Sequence, residues 1–319
     1  MMKNIMFKYL VGVLLLMVFN CQMVYSIEKI IVAKDGTGNY STIQDAINSC
    51  KKNQTEDQII FIKDGVYVEK LVLDSAYTHL HFIGESKDKT VISYGDHVGM
   101  EGITTANSYT FIIKANYTKI ENLTIENSAG DVGQALAIYL DGDCCSFWNC
   151  KLLGNQDTVY NGGKSTRQYF YKCYIEGTTD FIFGSAAAVF HKCVVHSKKN
   201  SYITAANTPQ GNSFGLVFIK CKLTSDDKTN KVNLGRPWRD YAQTVFIRCK
   251  MGSHILPEGW HNWSKPNREK TAFYAEYKNY GPGAINKDRV KWSHQLTKEG
   301  ANSYTLSNIF RGKTDWIIR

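Results

Sequence analysis

Hydrophobic positions recur along this chain in one frame. Five segments, "FWNCKL", "FYKCYI", "FHKCVV", "FIKCKL" and "FIRCKM", centre on Cys150, Cys173, Cys193, Cys221 and Cys249. Each has Phe three residues before the Cys and an apolar residue two after it (Leu152, Ile175, Val195, Leu223, Met251). A sixth, "IENLTI", puts Ile120, Leu123 and Ile125 at the same offsets. The centres lie 27, 23, 20, 28 and 28 residues apart, and a period in this range with variable insertions marks a solenoid whose turns differ in loop length. Positions 0 and +2 face one way on a strand while −3 and 0 do not, so the chain must turn a corner between them if all three face inward. A polar residue sits just before that corner: Asn122, Asn149, Lys172, Lys192, Lys220 or Arg248. A cornered strand rich in Phe, Val and Ile, repeated in this way, predicts an all-β chain folded as a single-stranded parallel β-helix.

The ends of such a solenoid need covers. "YSTIQDAINSCKK" predicts a short N-terminal capping helix, with Ser41 and Gln44 as a capping box and Ile43, Ala46, Ile47 and Cys50 as one apolar stripe. Near the other end, "EGWHNWSKPNREKTAFYAEYKNYGPGA" breaks the repeat and predicts loops and a final strand. The repeat also changes how the nine cysteines read. Five of them become small buried hydrophobes in the bore, so free thiols are expected, while bridges at Cys50, Cys144 and Cys145 stay open.

Residues 1–26 differ from the rest. Lys3 and Lys8 precede an apolar run from Tyr9 to Phe19, and Val24-Tyr25-Ser26 offers cleavage spacing, so a signal peptide is expected at 1–26 and one domain, without a linker, at 27–319. The apolar run is too short to span a membrane and no later stretch is longer, so a secreted protein without a membrane anchor is expected, and a basic solenoid with covered ends is expected to be a monomer. Lipid on Cys21 is the other reading of that segment, with Asn20 a poor fit to it. The net charge is +9, or +7 without the two leader lysines, which favours an acidic polymer as partner. Export, and the lack of a Lys/Arg block or nucleic-acid motif, points away from nucleic acid and toward an acidic extracellular polysaccharide.

Two carboxylates fall into register within this frame. Asp157 follows Cys150 by seven residues and Asp180 follows Cys173 by seven, so they occupy one place in consecutive coils. With strands ~4.8 Å apart their carboxyl groups lie side by side, one pKa must rise, and the pair suits acid/base or nucleophilic work. A lone Asp more often caps a turn. Gln134 and Gln156 bring amide donors for an oxyanion. In "LGRPWRD", Arg236 can hold a carboxylate in its fork and Trp238 can stack on a sugar. By contrast, "GNSFG" at Ser213 is followed by strand-like "LVFIKC" rather than a helix, "NGGKST" lacks the glycine of a phosphate loop, and no His or Cys spacing suggests a metal.

The motifs "GQALA", "GNQDTVY", "GTTDFIFG" and "LGRPW", in this order, with "DGVYVEK" upstream and "PEGW" and "FYAEYKNYGPGA" downstream, resemble the pectinesterases across essentially the whole chain after the leader. The resemblance implies a right-handed parallel β-helix that hydrolyses methyl esters of polygalacturonate (pectin) without a cofactor. It implies Asp180 as nucleophile and Asp157 as general acid and then base. Gln134 and Gln156 would stabilise the oxyanion, Arg236 would orient Asp180, and Trp238, Phe183 and Tyr160 would line the sugar groove. Asn155 stands where the family commonly has an aromatic residue. The stretch Asn161–Thr166 is closer to bacterial members, and the inhibitory pro-region of many plant members is not expected here. Two other readings remain at this point: a β-helix glycosidase using the same carboxylates, and a non-catalytic carbohydrate-binding solenoid.

Overall fold

At every predicted corner the backbone enters the left-handed region: φ is 55° at Asn122, 52° at Asn149, 53° at Lys172, 55° at Lys192, 54° at Lys220 and 53° at Arg248. One such residue reverses which side of the chain faces inward, which is how Phe at −3 and Cys at 0 both reach the bore. Lys278, φ 45°, makes the same corner one coil later, outside the Phe/Cys frame. The computed structural model describes residues 29–318, and the expected leader at 1–26, with Cys21, lies outside them.

Successive coils stack as three parallel sheets of eleven, eight and seven strands among the described residues, the right-handed parallel β-helix that the repeat predicts. The register is that of the frame: Ile120, Phe147, Phe170, Phe190, Phe218 and Phe246 pair in turn across the eleven-stranded sheet. Four ring pairs from Phe147 to Phe246 stack with centroids 4.7, 4.7, 4.6 and 4.4 Å apart. The column extends upstream through Ile60 and Phe82, whose coils carry Lys63 and Glu85 where the frame has Cys or Leu and so escaped it. It ends at Glu276, whose buried carboxylate meets Arg289 at 2.7 Å.

Beside the rings, each bore cysteine points its thiol at a carbonyl of the preceding coil, as Cys221 does to Phe190 at 3.1 Å and Cys193 to Phe170 at 3.4 Å. All eight described cysteines are free and buried, Cys50, Cys144 and Cys145 included.

The capping helix spans Ile43–Ser49, and Ile43, Ala46 and Ile47 are buried against the first coil. Its cap differs from the predicted Ser41/Gln44 box. Thr42 is the N-cap, accepting from the Asp45 amide at 3.2 Å and donating to the Asp45 carboxylate at 2.6 Å. The cause is tertiary: the Glu69 carboxylate takes the Ile43 and Gln44 amides, and the Gln44 side chain bridges to the backbone of Val72. At the far end, the strand Phe273–Tyr277 joins the sheet as expected. The chain then folds back so that Ile309, Phe310 and Trp316 pack on Tyr169, Val189 and Val217 on the outer face. No helix among the described residues is long and apolar enough to cross a membrane.

Removing one ring should therefore open the bore at a point where neighbours on both sides are already stacked. Phe190→Ala is expected to cost about 3–5 kcal/mol, read from chemical denaturation, whereas Phe190→Leu should retain most of the stability.

Candidate active site

Inward and outward residues alternate along the seven-stranded sheet, and the outward ones build the site. Ile138, Val159 and Ile182 point into the core while Tyr139, Tyr160 and Phe183, paired in that order, point out. Their ring centroids are 4.5 and 5.0 Å apart. In the next coil the register puts Ala205 in this column, and the small side chain leaves room for Trp238, which meets Phe183 edge-on at 5.8 Å.

Asp157 and Asp180 stand two residues before the paired Val159 and Ile182, so they are in register at the mouth of the same two strands. Each takes a left-handed backbone, φ 66° and 50°, with its amide tied to the next coil, Asp157 to the Thr179 carbonyl and Asp180 to that of Tyr202. This left-handed step aims the side chain outward while Phe181, the next residue, is wholly buried. Both acids are nearly buried, at 8% and 5% exposure.

Arg236 holds Asp180 through two parallel bonds, Nε to Oδ1 at 3.0 Å and Nη2 to Oδ2 at 2.7 Å. Its guanidinium lies between the rings of Tyr202 and Trp263, 3.9 and 3.7 Å from their centroids, which fixes the fork and shields it from water. Gly235 allows the approach: it pairs with Thr204, and a Cβ there would collide with the Thr204 hydroxyl. Gln156 immediately precedes Asp157, and Gln134, one coil back, forms a parallel bridge with Gln156, so that both reach the same cleft.

All eight residues singled out from the sequence, Gln134, Gln156, Asp157, Tyr160, Asp180, Phe183, Arg236 and Trp238, line one cleft of about 340 Å³. Leu136, Tyr139, Ala205, Trp263 and Thr105 with Ala106 complete its walls and were missed. Tyr139 was findable, since "IYL" stands to "QALA" as "VYN" stands to "QDT". Trp263 sits in an irregular segment that no frame reaches. Asn155 packs its carbonyl against the Thr178 amide and Thr158 hydroxyl rather than facing the cleft by a ring. Ser213 of the esterase-like pattern is exposed on a loop before the strand Leu216–Ile219, outside this cleft.

The acids differ electrically. Burial, and next the charge of Asp180, push the Asp157 carboxyl well above the usual carboxylate range, with Arg236 opposing. Burial raises Asp180 as well, against the bonds and charge of Arg236. Arg236 belongs to Asp180, so Asp157 is the one that keeps a proton, and a protonated acid beside a charged carboxylate can donate to a leaving group while its neighbour attacks.

A raised carboxyl pKa stabilises the fold below its ordinary value of 3.8, and that contribution is lost as pH rises through the folded-state value. Asp157→Asn should therefore be more stable than the wild type at pH 7, by about 1 kcal/mol, and the difference in melting temperature should vanish below the ordinary carboxylate pKa.

The chain superposes on solved structures and aligns with curated proteins. A solved pectin methylesterase from carrot superposes with a TM-score of 0.85 at 30% identity, over 89% of this chain and 93% of that one. A pectin methylesterase solved in complex with hexasaccharide VII superposes with a TM-score of 0.75 at 30% identity, over 89% and 97% of the two chains. Among curated relatives, "Pectinesterase/pectinesterase inhibitor U1" of Solanum lycopersicum is 35% identical over 304 residues, 90% of this chain and 52% of its own. The chain spans about half the length of this and several other relatives that carry such a double name. The family model described as pectinesterase matches residues 29–313, and the chain belongs to the pectinesterase family.

Proposed function

We propose that the protein is a carboxylic ester hydrolase that removes methyl esters from the galacturonate units of pectin, releasing methanol and leaving pectate. The observation that carries this reading is the pair of buried acids in register, one forked by Arg236 and both beside two glutamine amides. Asp180, kept ionised by Arg236, attacks the ester carbonyl, and the Gln134 and Gln156 amides receive the developing oxyanion. Asp157 gives its proton to the methoxyl oxygen, so methanol leaves and the galacturonyl group stays on Asp180 as a mixed anhydride. Asp157, now a carboxylate, takes a proton from water as the hydroxide attacks that anhydride, which frees Asp180 and restores the acid.

Trp238, Phe183, Tyr160 and Tyr139 form the floor on which sugar rings stack. A sugar polymer as occupant is supported by the relative that binds a hexasaccharide. Amide donors next to the carboxylates suit a carbonyl that gains negative charge, which a glycosidase substrate lacks. The finer expectation of a bacterial type of member rests on the Asn161–Thr166 loop alone. Secretion after cleavage near Ser26 is part of this reading, supported by the charged and apolar pattern of residues 1–26, as is a monomer, with the helix Ile43–Ser49 over one end of the core and Val290 and Trp292 packed on it beyond Trp260 and Tyr274 at the other.

On highly methylated pectin the protein should release methanol without new reducing ends. Asp180→Ala should lower kcat by about 10³-fold or more. Gln156→Ala should cost about 10²-fold in kcat with a smaller change in KM. Reducing ends from the wild type would transfer the carboxylates to glycosidase chemistry, and neither product would leave a binding solenoid.

A further inference from the structure

The left-handed corners that build the solenoid carry a second pattern. From the coil of Cys173 onward the corner residue is Lys172, Lys192, Lys220, Arg248 and then Lys278. All five are exposed, and their strands are consecutive in the eleven-stranded sheet, so the cations form a row with a spacing of ~4.8 Å. Backbone preference does not account for them. This conformation favours Asn, Asp and Gly, and Asn does occupy the two preceding corners, at 122 and 149. Lys and Arg are 38 of 319 residues, so five in succession is not a matter of composition.

The row is also without counter-charge. None of the five makes an ion pair among the described residues, although twelve such pairs involve other cations. The outward positions on either side hold Tyr171, His191, Ile219, Ile247 and Tyr277 before the corner and Tyr174, Val194, Lys222 and Lys250 after it, with no acid among them. Lys222 and Lys250, both exposed, add two cations to the strip. The charges of Lys192 and Lys220 act with burial to lower the pKa of His191. Like charges at adjacent strand positions repel, and a bound polyanion relieves that repulsion.

We propose that this corner is a docking strip for a linear acidic polysaccharide, the de-esterified galacturonate chain, at a site separate from the catalytic cleft. The cleft lies on the seven-stranded sheet, and the width of the strand Tyr174–Gly177, roughly 13 Å, separates it from the corner. A straight row of evenly spaced cations fits a polymer with one carboxylate per sugar, and it lies along the axis of the solenoid as an extended chain would. The choice of galacturonate rests on the proposed esterase reading, since pectate is its product. The strip would hold the enzyme on stretches already de-esterified while the cleft works on methylated ones.

The test measures binding of the whole secreted protein to fully de-esterified polygalacturonate at several salt concentrations. Its comparison is a variant with Lys172, Lys192, Lys220, Arg248 and Lys278 all changed to Asn, the residue already found in two of these corners. At about 50 mM salt the variant should bind at least tenfold more weakly, with a flatter salt dependence, while kcat on a short methylated oligogalacturonate stays unchanged. A double variant, Lys192→Asn with Lys220→Asn, should show a smaller loss and keeps the test valid if the fivefold variant fails to fold. Equal binding by folded variants and wild type would overturn the proposal, and so would tighter binding of double-stranded DNA at matched charge concentration. Methanol release by the wild type decides the esterase reading, and repeating the binding in Asp180→Ala separates the strip from it: the corner substitutions should weaken binding equally in that inactive background, and loss of their effect there counts against the strip.

Discussion

Parallel pairing holds each residue of one coil about 4.8 Å from its counterpart in the next, and every property of the site follows from keeping that register while the loops vary. Between Cys150 and Cys249 the repeat length changes from 20 to 28 residues, yet Phe stays on Phe through five coils. The left-handed corner does this. It fixes where the chain turns, the Cys side chain is small enough to fill the inside of the turn, and length differences are expelled to the loops on either side of the seven-stranded sheet. The same register that stacks five benzene rings in the bore sets two carboxyl groups side by side on the outside.

Holding the acids there is unfavourable for the fold and useful for chemistry. Two carboxyl groups almost removed from water, next to each other, raise the pKa of the pair. The strain is offset by one cation, Arg236, whose fork is immobilised between two aromatic rings. That single partner makes the site asymmetric: the acid it grips is the one able to ionise, and the other is left to carry the proton. An aromatic floor built by strand alternation then runs past the acids from Tyr139 to Trp238.

Much of this was readable before any coordinates, because a solenoid converts sequence offsets into positions. Counting seven residues from Cys150 and Cys173 put Asp157 and Asp180 together, and the structure agrees with that count. Reading failed where position depends on contacts from outside the coil. The helix cap moved from Ser41 to Thr42 because Glu69, from the link between the strands Gly65–Val68 and Leu71–Leu73, takes the free amides. Trp263 clamps Arg236 from an irregular segment with no offset to it, opposite Tyr202, the register partner of Asp180 in the next coil. The coils around Ile60 and Phe82 were missed because Lys63 and Glu85 stand where the frame has Cys or Leu, although they share its register.

The central claim is that register sets the two acids side by side and the grip of Arg236 on Asp180 leaves Asp157 as the proton carrier. Carbon NMR titration of the Asp157 carboxyl group, in the wild type and in Asp180→Asn, tests it most directly. The account predicts a carboxyl that titrates well above the usual carboxylate range and moves down when the neighbouring charge is removed, with the part due to burial remaining. A carboxyl that titrates near 3.8 in both proteins would contradict it.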